Sequence, residues 1–147
     1  MLKSILRPIL LPILELLEPC ISILAYTKPK IHRQKSIAIL RTDAIGDYLL
    51  FRAFLREVRE AYPSYHITLI GNSAWRDLYE CFDSAYCDEC VWISTADFQA
   101  RHIFYKIKVL RHIKQIRYEL LINPQHSRDK LNATIASHIN ALSKIAP

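Results

Sequence analysis

From residue 36 onward, apolar and polar positions alternate between two rhythms. Ser36–Arg41 is a short apolar run of buried-strand type, and after it Leu50, Phe54, Val58 and Ala61 recur at helical spacing, with Arg52, Arg56, Arg59 and Glu60 opposite. Pro63 ends that helix, and Tyr65–Ile70 (YHITLI) predicts a second strand closed by Gly71-Asn72-Ser73. Trp75, Leu78, Tyr79 and Phe82 predict a second helix, Cys90–Ile93 a third strand, and the stretch from about Phe98 to Arg117 a third helix. Glu119–Asn123 predicts a fourth strand, Pro124–Arg128 a loop, and Asp129–Ser143 a last helix opened by an acid.

Four strand-helix units in strict alternation predict an α/β fold, a Rossmann-like parallel sheet with helices on both faces. If the strands lie in the order 3-2-1-4, a crevice opens between the carboxyl ends of strands one and four. Two loops then converge there, Thr42–Asp47 and the Pro124–Arg128 loop with Gln125, His126, Ser127 and Arg128. Gly46 and Gly71, the chain's two glycines, are expected just past strand ends at that edge, where a tight turn or a close backbone approach needs a residue without a Cβ. With no further strand predicted, strand four is expected to be a bare edge.

A chain of 147 residues suits one domain, and 51% hydrophobic with 23% charged residues is ordinary for a folded protein. The formal charge of +6 favours an anionic partner: nucleic acid, an acidic membrane surface or a phosphorylated substrate. The amino-terminal 26 residues are rich in Leu and Ile with Lys3 and Arg7 near the start, but Glu15 and Glu18 would each cost roughly 2 to 3 kcal/mol near mid-bilayer, and Pro8, Pro12 and Pro19 interrupt a helix. That stretch therefore reads in two ways: as a tail resting on the inner face of a membrane, or as a helix packing on further structure. Residues 1–35 are taken as tail and linker, and residues 36–147 as an incomplete Rossmann-like domain. Cys87-Asp-Glu-Cys90 has a metal-knuckle gap but no second half, so the cysteines read as reduced thiols and no metal is expected.

For chemistry, the first loop lacks G-x-G-x-x-G and any Walker pattern, which disfavours a dinucleotide or P-loop site. It offers carboxylates instead, Asp43 and Asp47. Either could be a helix N-cap, and Asp47, near the first turn of a helix whose dipole favours negative charge, could equally be a general base. The helix from residue 101 to 117 is basic, but its interleaved Ile103, Ile107 and Leu110 mark it as a sheet-covering helix with a cationic outer edge, not a nucleic-acid reader.

The run Ile37-Ala-Ile-Leu-Arg-Thr-Asp-Ala-Ile-Gly-Asp47, the helix ending Arg56-Glu-Val-Arg-Glu-Ala-Tyr-Pro63, and Ile67-Thr-Leu-Ile-Gly71 together resemble the amino-terminal domain of the family 9 glycosyltransferases, which include the lipopolysaccharide heptosyltransferases. The resemblance continues in weaker form through Cys87–Ile93 and Tyr118–Asn123. It implies the acceptor-side domain of a GT-B glycosyltransferase with inverting chemistry, in which Asp47 matches the general base. Asp43, Gly46, Gln125, His126 and Arg128 are then expected around the acceptor. It implies no metal and no cofactor beyond a nucleotide-sugar donor such as ADP-heptose, bound by a second domain that these residues do not include. A glycan or glycolipid acceptor, the cytoplasmic face of a membrane and a separate chain carrying the donor domain are the partners implied, and the 147-residue chain alone is expected to be inactive. Two departures stand out: Phe51-Arg52-Ala53 replaces the family's usual Thr-Thr-Pro, and Asn123-Pro124-Gln125-His126 replaces its usual Asp-Leu-Gln-Gly. The competing reading is a non-catalytic α/β binding module, receiver-like or specific for an anion.

Overall fold

The computed structural model describes residues 20–99, 102–125 and 129–146. Its strands are β1 (Ile31–His32), β2 (Ser36–Arg41), β3 (His66–Asn72), β4 (Glu89–Ile93), β5 (Ile116–Ile122) and β6 (Asn140–Ile145). The helices are α1 (Ile45–Ala61), α2 (Arg76–Phe82), α3 (Thr95–Gln99), α4 (Ile103–Lys114) and α5 (Lys130–His138), preceded by a helical turn at 20–24. Every pairing is parallel. Both β2 and β6 pair with β5 at residues 120–122, so they lie on its opposite edges and the sheet reads β6-β5-β2-β3-β4. β1 meets only Ile116 and Arg117 at the start of β5.

This order is the one in which the first strand of the pattern, β2, lies between the second and the fourth. A receiver domain would instead place the third strand beside the first, so the receiver-like alternative fails on topology. β2 is buried along its whole length, as a central parallel strand requires. Its alternate residues go to opposite faces: Ile37 and Ile39 pack with Tyr48, Phe51 and Leu55 of α1, whereas Ala38 and Leu40 pack with Leu110 and Ile113 of α4 and Leu131 and Ile135 of α5. The predicted two-faced α/β architecture is thus what the strand alternation builds.

Three predicted features change. The third helix is interrupted and ends at Lys114, because Ile116 and Tyr118 bury as alternate residues of β5 instead of continuing a helical stripe. The last helix stops at His138. Ile139 turns extended, and Asn140–Ile145 pairs along β5, leaving most of its own side chains exposed. A fifth strand therefore covers the edge expected to be bare. Packing also reaches back before residue 36: Ile21 and Ala25 are buried in the α4/α5 core, and the Lys30 and Ile31 amides bond the Gln115 carbonyl at 2.8 and 3.1 Å.

The glycines serve different purposes from those expected. Gly71 lies inside β3, where a Cβ would come within 2.9 Å of Trp92 Cζ3 and closer still to the Trp75 ring, whereas at Gly46, in the first turn of α1, a Cβ would meet nothing within 4 Å. Neither has a positive φ. Gly71→Ala should therefore lower the unfolding free energy by about 1 to 3 kcal/mol through overpacking, and Gly46→Ala should leave it unchanged or raise it by up to about 1 kcal/mol. Urea titrations of both variants check the pair, and equal effects would disprove the difference in packing.

Candidate functional site

The carboxyl ends of β2 and β5 meet as topology predicts, and a polar cluster joins them. Arg41 ends β2 and is 8% exposed. Its guanidinium pairs with the Asp43 carboxylate at 2.6 Å, donates to the Pro124 carbonyl at 3.3 Å and to the Asp47 main-chain carbonyl at 3.2 Å, and lies 4.7 Å from the centroid of the Phe51 ring. One buried cation thus fastens the turn after β2 to the loop after β5 and to the start of α1.

Around it, buried amides complete the frame. Gln125 Oε1 accepts from the Thr42 amide (3.4 Å), the Thr42 hydroxyl (3.1 Å) and Asn132 Nδ2 (2.8 Å), and Asn132 forms a reciprocal pair with Asn123. Asn132 is placed by α5, whose N-cap Asp129 accepts from the Asn132 amide at 2.7 Å. On the other side, Asn72 Nδ2 and Trp75 Nε1 donate to the Asp43 carbonyl at 3.1 and 3.2 Å. Trp75 is in turn stacked on Tyr48 with centroids 4.2 Å apart. The hydroxyl of Tyr48 donates to buried Asp83, which also takes two hydrogen bonds from Arg52. Burial, then the Asp83 contact, raises the Tyr48 pKa, so its proton stays in place. Arg52, where the resembled family has part of Thr-Thr-Pro, is here a clamp on the loop after α2.

The two acids of the first loop have unlike environments. Neither caps α1, whose N-cap is Ala44 with no side-chain hydrogen bond, so the capping alternative fails for both. Asp43 is turned inward, 12% exposed in its side chain, and burial raises its pKa despite the neighbouring Arg41. Its Oδ1 is buried without a hydrogen bond. Asp47 occupies the first turn of α1 and is exposed, and its carboxylate takes no hydrogen bond or ion pair among the described residues. Beside it, Gly46 leaves open space. Of the other predicted site residues, Gln125 is 6% exposed and locked into the amide cluster, while His126 and Arg128 lie outside the described residues.

Sequence reasoning passed over Asn72, Asn123 and Asn132. Asn132 had a signal: it shares the buried face of α5 with Leu131 and Ile135, where a polar side chain needs a buried partner. A cavity of about 440 Å³ opens beside α4 and α5, lined in part by Ile21, Phe98, Lys106 and His138, and none of the predicted site residues that are described (Asp43, Gly46, Asp47, Gln125) lines it. Among the described residues no cluster of His, Cys, Asp and Glu is placed to hold a metal ion, and burial pushes the Cys87 thiol up to about 12.

No protein-family model and no curated protein matches the chain. A solved structure does: the glycosyl transferase family 9 protein from Veillonella parvula superposes with a TM-score of 0.62 at 24% identity, over 76% of this chain and 32% of that one. The fold is that of a glycosyl transferase domain. The chain spans about a third of the length of this neighbour.

Removing Arg41 should leave a buried carboxylate unpaired. Arg41→Met is expected to cost about 3 to 5 kcal/mol of unfolding free energy, with part recovered on adding Asp43→Asn. The sign of the pH effect follows from the raised Asp43 pKa: the folded state binds the proton more tightly, so this group's contribution to stability is largest below its unfolded pKa and falls as pH rises through the folded one. The stability difference between the native sequence and Asp43→Asn should therefore shift in favour of the native sequence on acidification. Thermal melts across a pH series read this directly, and a shift the other way would refute it.

Proposed function

We propose that this chain is the acceptor-side part of a sugar-transferring enzyme and that Asp47 is its general base. The observation that carries the reading is the contrast between the two loop acids: Arg41 holds the Asp47 main chain, yet the Asp47 carboxylate is exposed at the ligand edge of the sheet and has no hydrogen-bond or ion-pair partner among the described residues. In the proposed step Asp47 takes the proton from an acceptor hydroxyl as that oxygen bonds to the anomeric carbon of a nucleotide-activated sugar. The bond from that carbon to the nucleoside diphosphate breaks, the diphosphate leaves with its electron pair, and the configuration inverts. Asp43 does not compete for the proton's path, because it is buried against Arg41.

The fold likeness to a glycosyl transferase and the run Arg41-Thr-Asp-Ala-Ile-Gly-Asp47 support this assignment. A heptose donor and a lipopolysaccharide-core acceptor are the substrates that the sequence resemblance favours. The first loop contains a single glycine, too few for the close backbone approach that a pyrophosphate needs, so the donor is assigned to a second domain.

The test supplies that domain, fused or in trans, and follows sugar transfer. Asp47→Asn should reduce kcat by at least about a hundredfold with unchanged Tm, as expected for an exposed carboxylate. The 147-residue chain without the second domain should transfer nothing. Undiminished transfer by Asp47→Asn would refute the base assignment, and transfer by the isolated chain would refute the division between acceptor and donor halves.

A further inference from the structure

Acidic residues are unevenly placed. Residues 20–35 and 102–118 contain nine Lys or Arg and no Asp or Glu. The fold brings these two stretches together: the Arg111 guanidinium donates twice to the Leu24 carbonyl, at 3.0 and 2.8 Å, Lys114 Nζ lies 5.6 Å from the Tyr26 ring centroid, and β1 pairs with the start of β5. Sequence charge thereby becomes a surface. Lys28, Lys30, Lys108 and Arg111 are exposed on it.

The same surface exposes large apolar side chains that the fold leaves uncovered: Phe104 is 89% exposed, Ile23 72%, Tyr26 69% and Leu24 54%. Phe104, Lys108 and Arg111, at i, i+4 and i+7, form one exposed stripe of α4, and Arg111 ties that stripe to Leu24. Cations alone would suit any polyanion. Exposed aliphatic side chains decide among them, since Ile23 and Leu24 find no partner along a phosphodiester backbone, whereas a bilayer interface takes apolar side chains below its headgroups and cations among its phosphates. No helix among the described residues is long and apolar enough to cross a membrane.

We propose that the face formed by residues 20–30 and α4 is an interfacial docking surface for an anionic lipid bilayer. Ile23, Leu24, Tyr26 and Phe104 enter the headgroup region, and the surrounding lysines and Arg111 meet lipid phosphates. This proposal is independent of the Asp47 assignment, because it concerns a different surface and a different measurement.

The experiment is co-sedimentation of the full 147-residue chain with vesicles of phosphatidylcholine alone or mixed with phosphatidylglycerol. Binding is expected to the mixed vesicles only, weakening steeply as salt is raised. Lys30→Gln and Lys108→Gln should each weaken it on the order of fivefold. Ile23→Ser combined with Phe104→Ser, which leaves the charge unchanged, should weaken it on the order of tenfold or more. Leu142→Ser, at a 67% exposed position on β6, should change nothing. All these positions are exposed, so unchanged Tm values will confirm folding. Equal binding to neutral and mixed vesicles would overturn the proposal, as would native-like binding by the Ile23/Phe104 variant, which would place attachment elsewhere on the chain. Displacement from the vesicles by duplex DNA at matched phosphate concentration would overturn it in favour of nucleic acid.

Discussion

A guanidinium taken out of water costs several kcal/mol unless its charge and its N–H groups are met, and Arg41 is buried at the end of the central strand. The chain meets that demand with the Asp43 carboxylate, two main-chain carbonyls from separate segments and an aromatic face. Three pieces of backbone are positioned as a result: the turn after β2, the loop after β5 and the first turn of α1. Everything proposed for the site depends on that arrangement, because the carbonyl that Arg41 holds belongs to the residue whose carboxylate faces solvent.

How much of this was legible follows from which forces act locally. Strand order could be read because four alternating units admit few windings, and the convergence of the 42–47 and 124–128 segments came with it. The fifth strand could not. Asn140–Ile145 has its side chains mostly in solvent, so its sequence carries no burial alternation, and what makes it a strand is the hydrogen-bonding edge of β5. Gly71 is a similar case. Its cause is the Trp75 ring four residues on and Trp92 on the neighbouring strand, a packing fact invisible to turn chemistry. A cap was one of the roles open to Asp43 because an acid just before a helix can fill it, whereas the partner that holds its side chain, Arg41, lies two residues back at the end of the strand.

Polar atoms inside the sheet edge divide the labour with the apolar cores. The two cores fix which helix lies on which face, but neither constrains the loops beyond the strand ends. That is done by Thr42, Gln125, Asn123 and Asn132 on one side and by Asn72 and Trp75 on the other, each donating to or accepting from a group of the first turn or of one another. A hydrogen-bonded cluster is suited to this task, because a buried amide left unpaired costs more than a displaced methyl group and so tolerates fewer alternative loop positions.

The two aspartates show what four residues of separation can do when one strand end and one helix start divide them. Asp43 lies where the strand is still buried, and its charge exists only in company with Arg41; Asp47 lies one helical turn later, where the chain has emerged. They remain coupled, since the negative charge of Asp47 helps to raise the proton affinity of Asp43. In the proposed general-base role, a proton taken up by Asp47 would remove that repulsion and so favour the ionised form of Asp43 beside Arg41.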